Sequence, residues 1–214
     1  LISGFSRVYK KIQHACSCQR YKDNQGYKPL RDFDGIWITQ NEIDTIKKLE
    51  SLEEQEILFT ILCFTKMYNE TNRRNGRKIN NLFYVNAGVI RRCAGWKKGT
   101  KDKVAKTMGE LTQKDLLGFI ENRDKYGDAM CKTRQPFITT QCKIVDDDSE
   151  QVLFVDCFDT LGLTWQYLLG NKKVKKCGCG RYFEASSNRQ KKCKKCNPRV
   201  QKTKKKCSKK MGKR

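Results

Sequence analysis

Apolar residues recur at helical spacing from residue 39 onward, and in short strand-like blocks after residue 115. Thr39 with Glu42 three residues later predicts a capping box ahead of Ile43, Ile46 and Leu49, and Ser51 with Glu54 repeats the pattern. The next helix carries Ile57, Leu58, Ile61, Leu62 and Thr65 on one stripe, widened by Phe59, Cys63 and Phe64. So broad an apolar surface predicts a largely buried helix. The polar run of residues 69–78, which contains Gly76, predicts a loop, and "LFYV" at residues 82–85 a short strand. Residues 1–35 lack periodicity and predict an irregular N-terminal extension.

Asn86 and Thr100 are placed to cap two further helices. The first runs through Val89, Ile90 and Cys93 to Gly95. The second shows a stripe of Val104, Met108 and Leu111, with Lys101, Lys103, Lys106 and Thr107 assigned to its other faces. Strands are predicted at residues 116–122, 137–145 and 151–158. A long polar loop containing Arg123, Lys125, Lys132 and Arg134 joins the first two, and "DDDSE" joins the last two. The acids Asp146, Asp147 and Asp148 fit a turn there better than an acid-only metal site. "TLGLTWQYLLG" predicts a closing helix ending at Gly170.

The order helix, strand, helix, turn, helix, hairpin with a basic loop spans residues 36–170. Carried above all by "GELTQKDLLGFI", it resembles that of winged helix-turn-helix proteins. The resemblance implies a helix near Thr100 that enters the major groove, with Lys101, Lys103, Lys106 and Thr107 as contacts. It also implies a wing whose Arg123, Lys125, Lys132 and Arg134 touch phosphates or the minor groove.

Charge divides the chain. Of 46 Lys and Arg and 23 Asp and Glu, 19 bases but one acid, Glu184, follow Gly170. A segment so basic predicts a polyanionic partner, and lysines (32 against 14 arginines) suit phosphates better than base edges. Within it Cys177 and Cys179 form CxC and Cys193 and Cys196 form CxxC, among few apolar residues. Two thiolate pairs closing a small loop predict a four-cysteine zinc site in place of a hydrophobic core. Lys191, Lys192, Lys194 and Lys195 flank the second pair and are candidate phosphate contacts. "CGCGRYF…NRQKKCKKC" resembles the small treble-clef or ribbon fingers at the C-termini of phage and mobile-element proteins of Gram-positive bacteria. Asn197 and Pro198 predict the start of a basic helix.

Twelve cysteines would suit a secreted disulfide scaffold, but their placement, singly among apolar residues or in ligand pairs, predicts buried free thiols plus one metal site in a cytoplasmic protein. Because the chain starts at Leu1 and not Met, a removed leader stays open. His14, Cys16 and Cys18 offer ligands for a second metal but lack an evident fourth, so ordinary structural roles are the simpler reading. The longest apolar run, residues 57–64, is too short to span a bilayer, and no membrane partner is expected.

The expected protein is therefore α+β: an extension (1–35), a winged-helix domain (36–170), a zinc finger (171–198) and a basic tail (199–214), helical or disordered. Its expected role is binding nucleic acid, with double-stranded DNA preferred over RNA, in phage or mobile-element transcription or replication, with a protein partner or homodimer left open. RNA or ribonucleoprotein binding, and inhibition of a host nucleic-acid machine, remain alternatives. No enzyme is expected: the lone histidine lies outside every organised element, and a four-thiolate zinc has no open coordination position.

Overall fold

The computed structural model describes residues 34–83, 87–96, 101–121 and 138–196, and these divide into two compact units between Gly162 and Leu163. The chain is a mixed α+β protein with small antiparallel sheets.

The first unit opens with a strand the apolar pattern did not signal, β1 (Ile36–Thr39), which sends Ile36 and Ile38 inward and Trp37 outward. Thr39 then starts α1 (Gln40–Lys47) with the expected capping box: its Oγ1 accepts from the Glu42 amide at 3.4 Å, and its own amide donates to Glu42 Oε2 at 2.8 Å. The second expected box is absent. Ser51 makes no side-chain cap bond, and Glu54 instead pairs with Lys114.

The central helix α2 (Leu52–Arg74) has 23 residues and is buried almost all round from Ile57 to Asn69. It continues through Arg74, so the loop expected from residue 69 begins later. Glu70 pairs with Arg73 at 2.7 Å and Arg74 at 2.8 Å, supporting the last turn as a solvated helix end. Gly76, at φ +62°, follows the Asn75 cap.

Beyond it lie β2 (Leu82–Phe83), α3 (Ala87–Cys93), α4 (Lys101–Gln113), β3 (Leu117–Glu121) and β4 (Ile138–Cys142). The three strands form one antiparallel sheet in the order β2-β4-β3. Ile90, Val104, Leu111, Leu117 and Cys142 complete the core around α2. β5 (Gln151–Val155) does not extend that sheet but pairs with β1, Trp37 opposite Phe154. The "DDDSE" segment is a bend, as expected. Asp146 accepts from the Asp148 and Ser149 amides, the Ser149 hydroxyl and the Asn41 amide group, and these bonds hold its carboxyl down at about 2.

A buried ion pair ties these parts together. Lys66 Nζ lies 2.8 Å from Glu42 Oε1 and donates to the carbonyls of Trp37 at 3.0 Å and Asp146 at 3.1 Å, and the Asp146 amide donates to Glu42 at 2.9 Å. Burial pushes the Glu42 carboxyl up, against the opposing pull of those bonds.

After a 3-10 turn (Phe158–Thr160) comes α5 (Leu161–Leu168), the expected closing helix. Gly162 is required there, since a Cβ would fall 2.1 Å from the Ala94 carbonyl oxygen. The second unit takes α5 from Leu163, a turn at Gly170 (φ +80°), and a hairpin of β6 (Val174–Lys176) and β7 (Tyr182–Glu184).

Candidate metal centre

Hairpin β6–β7 carries the first cysteine pair in its turn. The Cys177 amide donates to the Arg181 carbonyl at 2.8 Å and the Gly180 amide to the Cys177 carbonyl at 2.9 Å, with Gly180 at φ +82°. That left-handed residue folds Cys177 and Cys179 back onto the same point. The second pair arrives through a loop held by Gln190, whose side-chain oxygen accepts from the amide and hydroxyl of Ser186, both at 2.9 Å. Cys193 and Cys196 close a turn of their own, amide to carbonyl, at 3.0 Å.

The four sulfurs of Cys177, Cys179, Cys193 and Cys196 lie within 4.8 Å of one another, close enough to hold a metal ion. The Cys179 and Cys193 sulfurs are 3.7 Å apart. A tetrahedral thiolate site with metal–sulfur bonds of about 2.3 Å has edges of about 3.8 Å, whereas a disulfide would bring two sulfurs to about 2.05 Å. The thiols are free, and Cys177 and Cys193 are buried with Phe183 in one small cluster.

Electrostatics within the cluster push Cys177 in the opposite direction from Cys179 and Cys196. Burial pushes the Cys177 thiol up, but the amides of Cys193 and Cys179 and the neighbouring thiols outweigh it and bring it down to about 6. Cys196, hydrogen-bonded to Cys179 and Cys193, is pushed up to about 12, and burial raises Cys179. The largest causes of these shifts are burial, backbone amides and the neighbouring thiols, and not the lysines of the segment. The Cys193 amide, 3.4 Å from Cys177 Sγ, belongs to the site although spacing alone could not reveal it. A set of four sulfurs with amide donors suits a soft or borderline divalent ion.

Cys63, Cys93 and Cys142 are buried free thiols. Burial raises Cys63 well above its ordinary value and takes Cys93 and Cys142 up to about 12, so all three behave as packing groups. His14, Cys16, Cys18, Arg123, Lys125, Lys132 and Arg134, and the helix and tail expected from residue 197, lie outside the described residues.

Lys191, Lys192, Lys194 and Lys195 are all exposed around the second cysteine pair. The contacts expected on α4 are scattered. Lys101 is its first residue. Lys103 pairs with Glu53 of α2 and lies 5.5 Å from the centre of the Trp96 ring. Lys106 is exposed, 3.8 Å from Glu110. Thr107 must be removed from the contact set: it is 4 % exposed, because position 107 lies three after Val104 and four before Leu111, on the buried stripe itself. The four expected α4 contacts therefore do not share one free surface.

No protein-family model, curated protein or solved structure matches the chain. What it presents is a small α+β fold with a four-cysteine cluster near its C-terminus. Among the described residues, no helix is long and apolar enough to cross a membrane.

Proposed function

We propose that the protein binds nucleic acid, chiefly double-stranded DNA, through a zinc-held finger and a winged-helix unit, and that it is a binding protein and not an enzyme. The observation that carries the reading is the finger's surface: Lys191, Lys192, Lys194 and Lys195 stand exposed around a thiol cluster, in a segment with one acid after Gly170. Lysines held at fixed positions can follow a phosphate backbone, and the release of counterions supplies the binding free energy. Zinc suits the donor set, since four thiolates give it a closed tetrahedron and a structural role. The −2 charge of that centre also relieves the repulsion among the surrounding lysines.

The winged-helix part of the proposal is supported by the succession α2, β2, α3, α4, β3, β4, with β4 between its partners. In this reading α4 approaches the groove with Lys106 and Gln113, both exposed and seven residues apart on one face, replacing Thr107 in the contact set. Two polar contacts give modest sequence discrimination, so affinity comes mainly from the finger and the basic segment after it. A regulatory role in phage or mobile-element transcription or replication is the setting the sequence resemblance implies, and the placement of the cysteines favours the cytoplasm.

The test is competition among a DNA duplex, a single strand and an RNA duplex at two salt concentrations, read by fluorescence anisotropy. Duplex DNA is expected to bind most tightly, with log affinity falling against log salt by about 0.9 for each phosphate neutralised. Salt-independent or absent binding overturns the reading, and preference for the RNA duplex transfers it to RNA.

A further inference from the structure

Side chains alternate between the two faces of hairpin β6–β7. On one, Phe183 packs with Cys177 and Cys193. On the other, Lys176 stands opposite Tyr182. Tyr182 is buried, and Tyr167 of α5 lies against it with ring centroids 5.0 Å apart and planes at 51°. Lys176 Nζ is 5.5 Å from the Tyr182 centroid.

Tyr167 itself is 47 % exposed, and Leu169 beside it in sequence 41 %. The turn that follows presents Lys172 and Lys173, both exposed. The one acid of the segment, Glu184, pairs with Val174 at the open end of the hairpin, on the same face as the Lys176–Tyr182 pair and one cross-strand pair further along it, where it is outnumbered by Lys172, Lys173 and Lys176.

Exposed aromatic rings alone do not select a ligand. A second aromatic pair among the described residues, Trp37 and Phe154 at 5.0 Å, has Asp34, Glu150 and Asp156 as its exposed sequence neighbours. Those charges repel phosphate. Around Tyr167 three lysines, Lys172, Lys173 and Lys176, stand against the single acid Glu184, so the same apolar surface is set among a net charge that attracts phosphate.

We infer that Tyr167, held in place by Tyr182 and flanked by Lys172, Lys173 and Lys176, stacks on an unpaired base, so that the finger engages nucleic acid at a single-stranded segment or gap. The inference rests on the nucleic-acid reading above and narrows it. A ring already fixed against a second ring loses little conformational freedom on stacking. Every base has a π-face, so such a contact is tolerant of sequence while demanding that the base be unstacked from its own strand. In a fully paired duplex the lysines still meet phosphates, but the ring has no base to reach.

The test uses the full, zinc-loaded chain and four probes of equal length: a DNA duplex, the same duplex with a short gap, oligo-dT and oligo-U. The wild type is expected to prefer the gapped over the intact duplex by about tenfold or more, from the usual contribution of one stacked base. Tyr167→Ala should erase that preference and Tyr167→Phe keep it, whereas Lys172→Ala should weaken all probes together. Tyr167-dependent binding of oligo-dT or of oligo-U supports the inference equally, and the tighter of the two identifies the source of the unpaired strand. If Tyr167→Ala loses its metal, photocrosslinking of wild-type protein to an oligomer carrying 5-iodouracil decides: an adduct on Tyr167 supports the inference, and adducts elsewhere overturn it. A wild type that binds the intact and gapped duplexes alike, unaffected by Tyr167→Ala, sinks this inference and leaves duplex binding standing. Failure to bind any of the four probes removes both.

Discussion

Around α2 the first unit buries Ile57, Leu58, Phe59, Ile61, Leu62 and Phe64 in hydrocarbon, whereas hairpin β6–β7 folds over a centre made of Cys177, Phe183 and Cys193. The first arrangement is stable through removal of apolar surface from water. The second has too little such surface to offset the entropy of ordering its loops, and proteins of that size turn to metals or disulfides. The difference teaches that a centre of four sulfurs, once it holds a metal as proposed, would need few apolar residues and leave many surrounding positions to lysine.

The contrast predicts first that the two units respond separately to metal loss. Chelation should abolish protected amides in residues 174–196 while those of α2 stay protected, as hydrogen exchange would report, and Cys193→Ser should do the same without a chelator. Acid should reproduce the effect. With Cys177 near 6 and Cys196 near 12, ligand protons must leave on metal binding, so affinity falls as pH falls, and more steeply below about 6, where Cys177 too must lose a proton. Titration of the cobalt-substituted protein, followed by its thiolate absorption bands, would show it. Simultaneous unfolding of both units on chelation would defeat the comparison.

A smaller effect is expected from charge inside the hydrocarbon unit. Lys66→Met strands the Glu42 carboxylate and should cost about 3–5 kcal/mol in urea unfolding, while Arg73→Ala, on the surface, should cost less than about 1 kcal/mol. Adding Glu42→Gln to Lys66→Met should recover part of the loss. If Lys66→Met is as mild as Arg73→Ala, the ion pair does not tie β1 to the bend at Asp146.

The smallest effect concerns that bend. Asp146 has its carboxyl lowered from 3.8 to about 2, so its contribution to stability is present above 3.8 and disappears as pH falls through about 2. Ser149→Ala removes the largest cause and should move the Asp146 titration upward in an NMR pH series, changing stability by well under about 1 kcal/mol because the group is solvated. An unchanged titration would show that the backbone amides and Asn41 set it.

Local patterns were the legible ones. The cysteine pairs lie so close in sequence that spacing alone named all four candidate ligands, and the Thr39–Glu42 box needed only three residues of context. What depended on distant partners was lost. Ile36–Thr39 is too short to announce a strand until β5, more than a hundred residues later, pairs with it. The Ser51–Glu54 box yielded to Lys114, which reaches Glu54 across sixty positions, and Lys103 was likewise claimed by Glu53. Thr107 is a different miss: its i−3 and i+4 neighbours, Val104 and Leu111, place it inside, although a hydroxyl among lysines reads as a polar contact.

The pairing of β1 with β5 also sets the order of events during synthesis. β1 leaves the ribosome early and waits for Val155, at the opposite end of its unit, before its hydrogen bonds can close. Until then a nascent strand with Ile36, Trp37 and Ile38 has unpaired amides and carbonyls, the kind of edge that recruits other chains. The charged bend at residues 146–150 emerges immediately before β5, so Lys66 can receive the Asp146 carbonyl just as the closing strand appears. Translation that slows while residues 122–137 are being added would prolong the exposed interval.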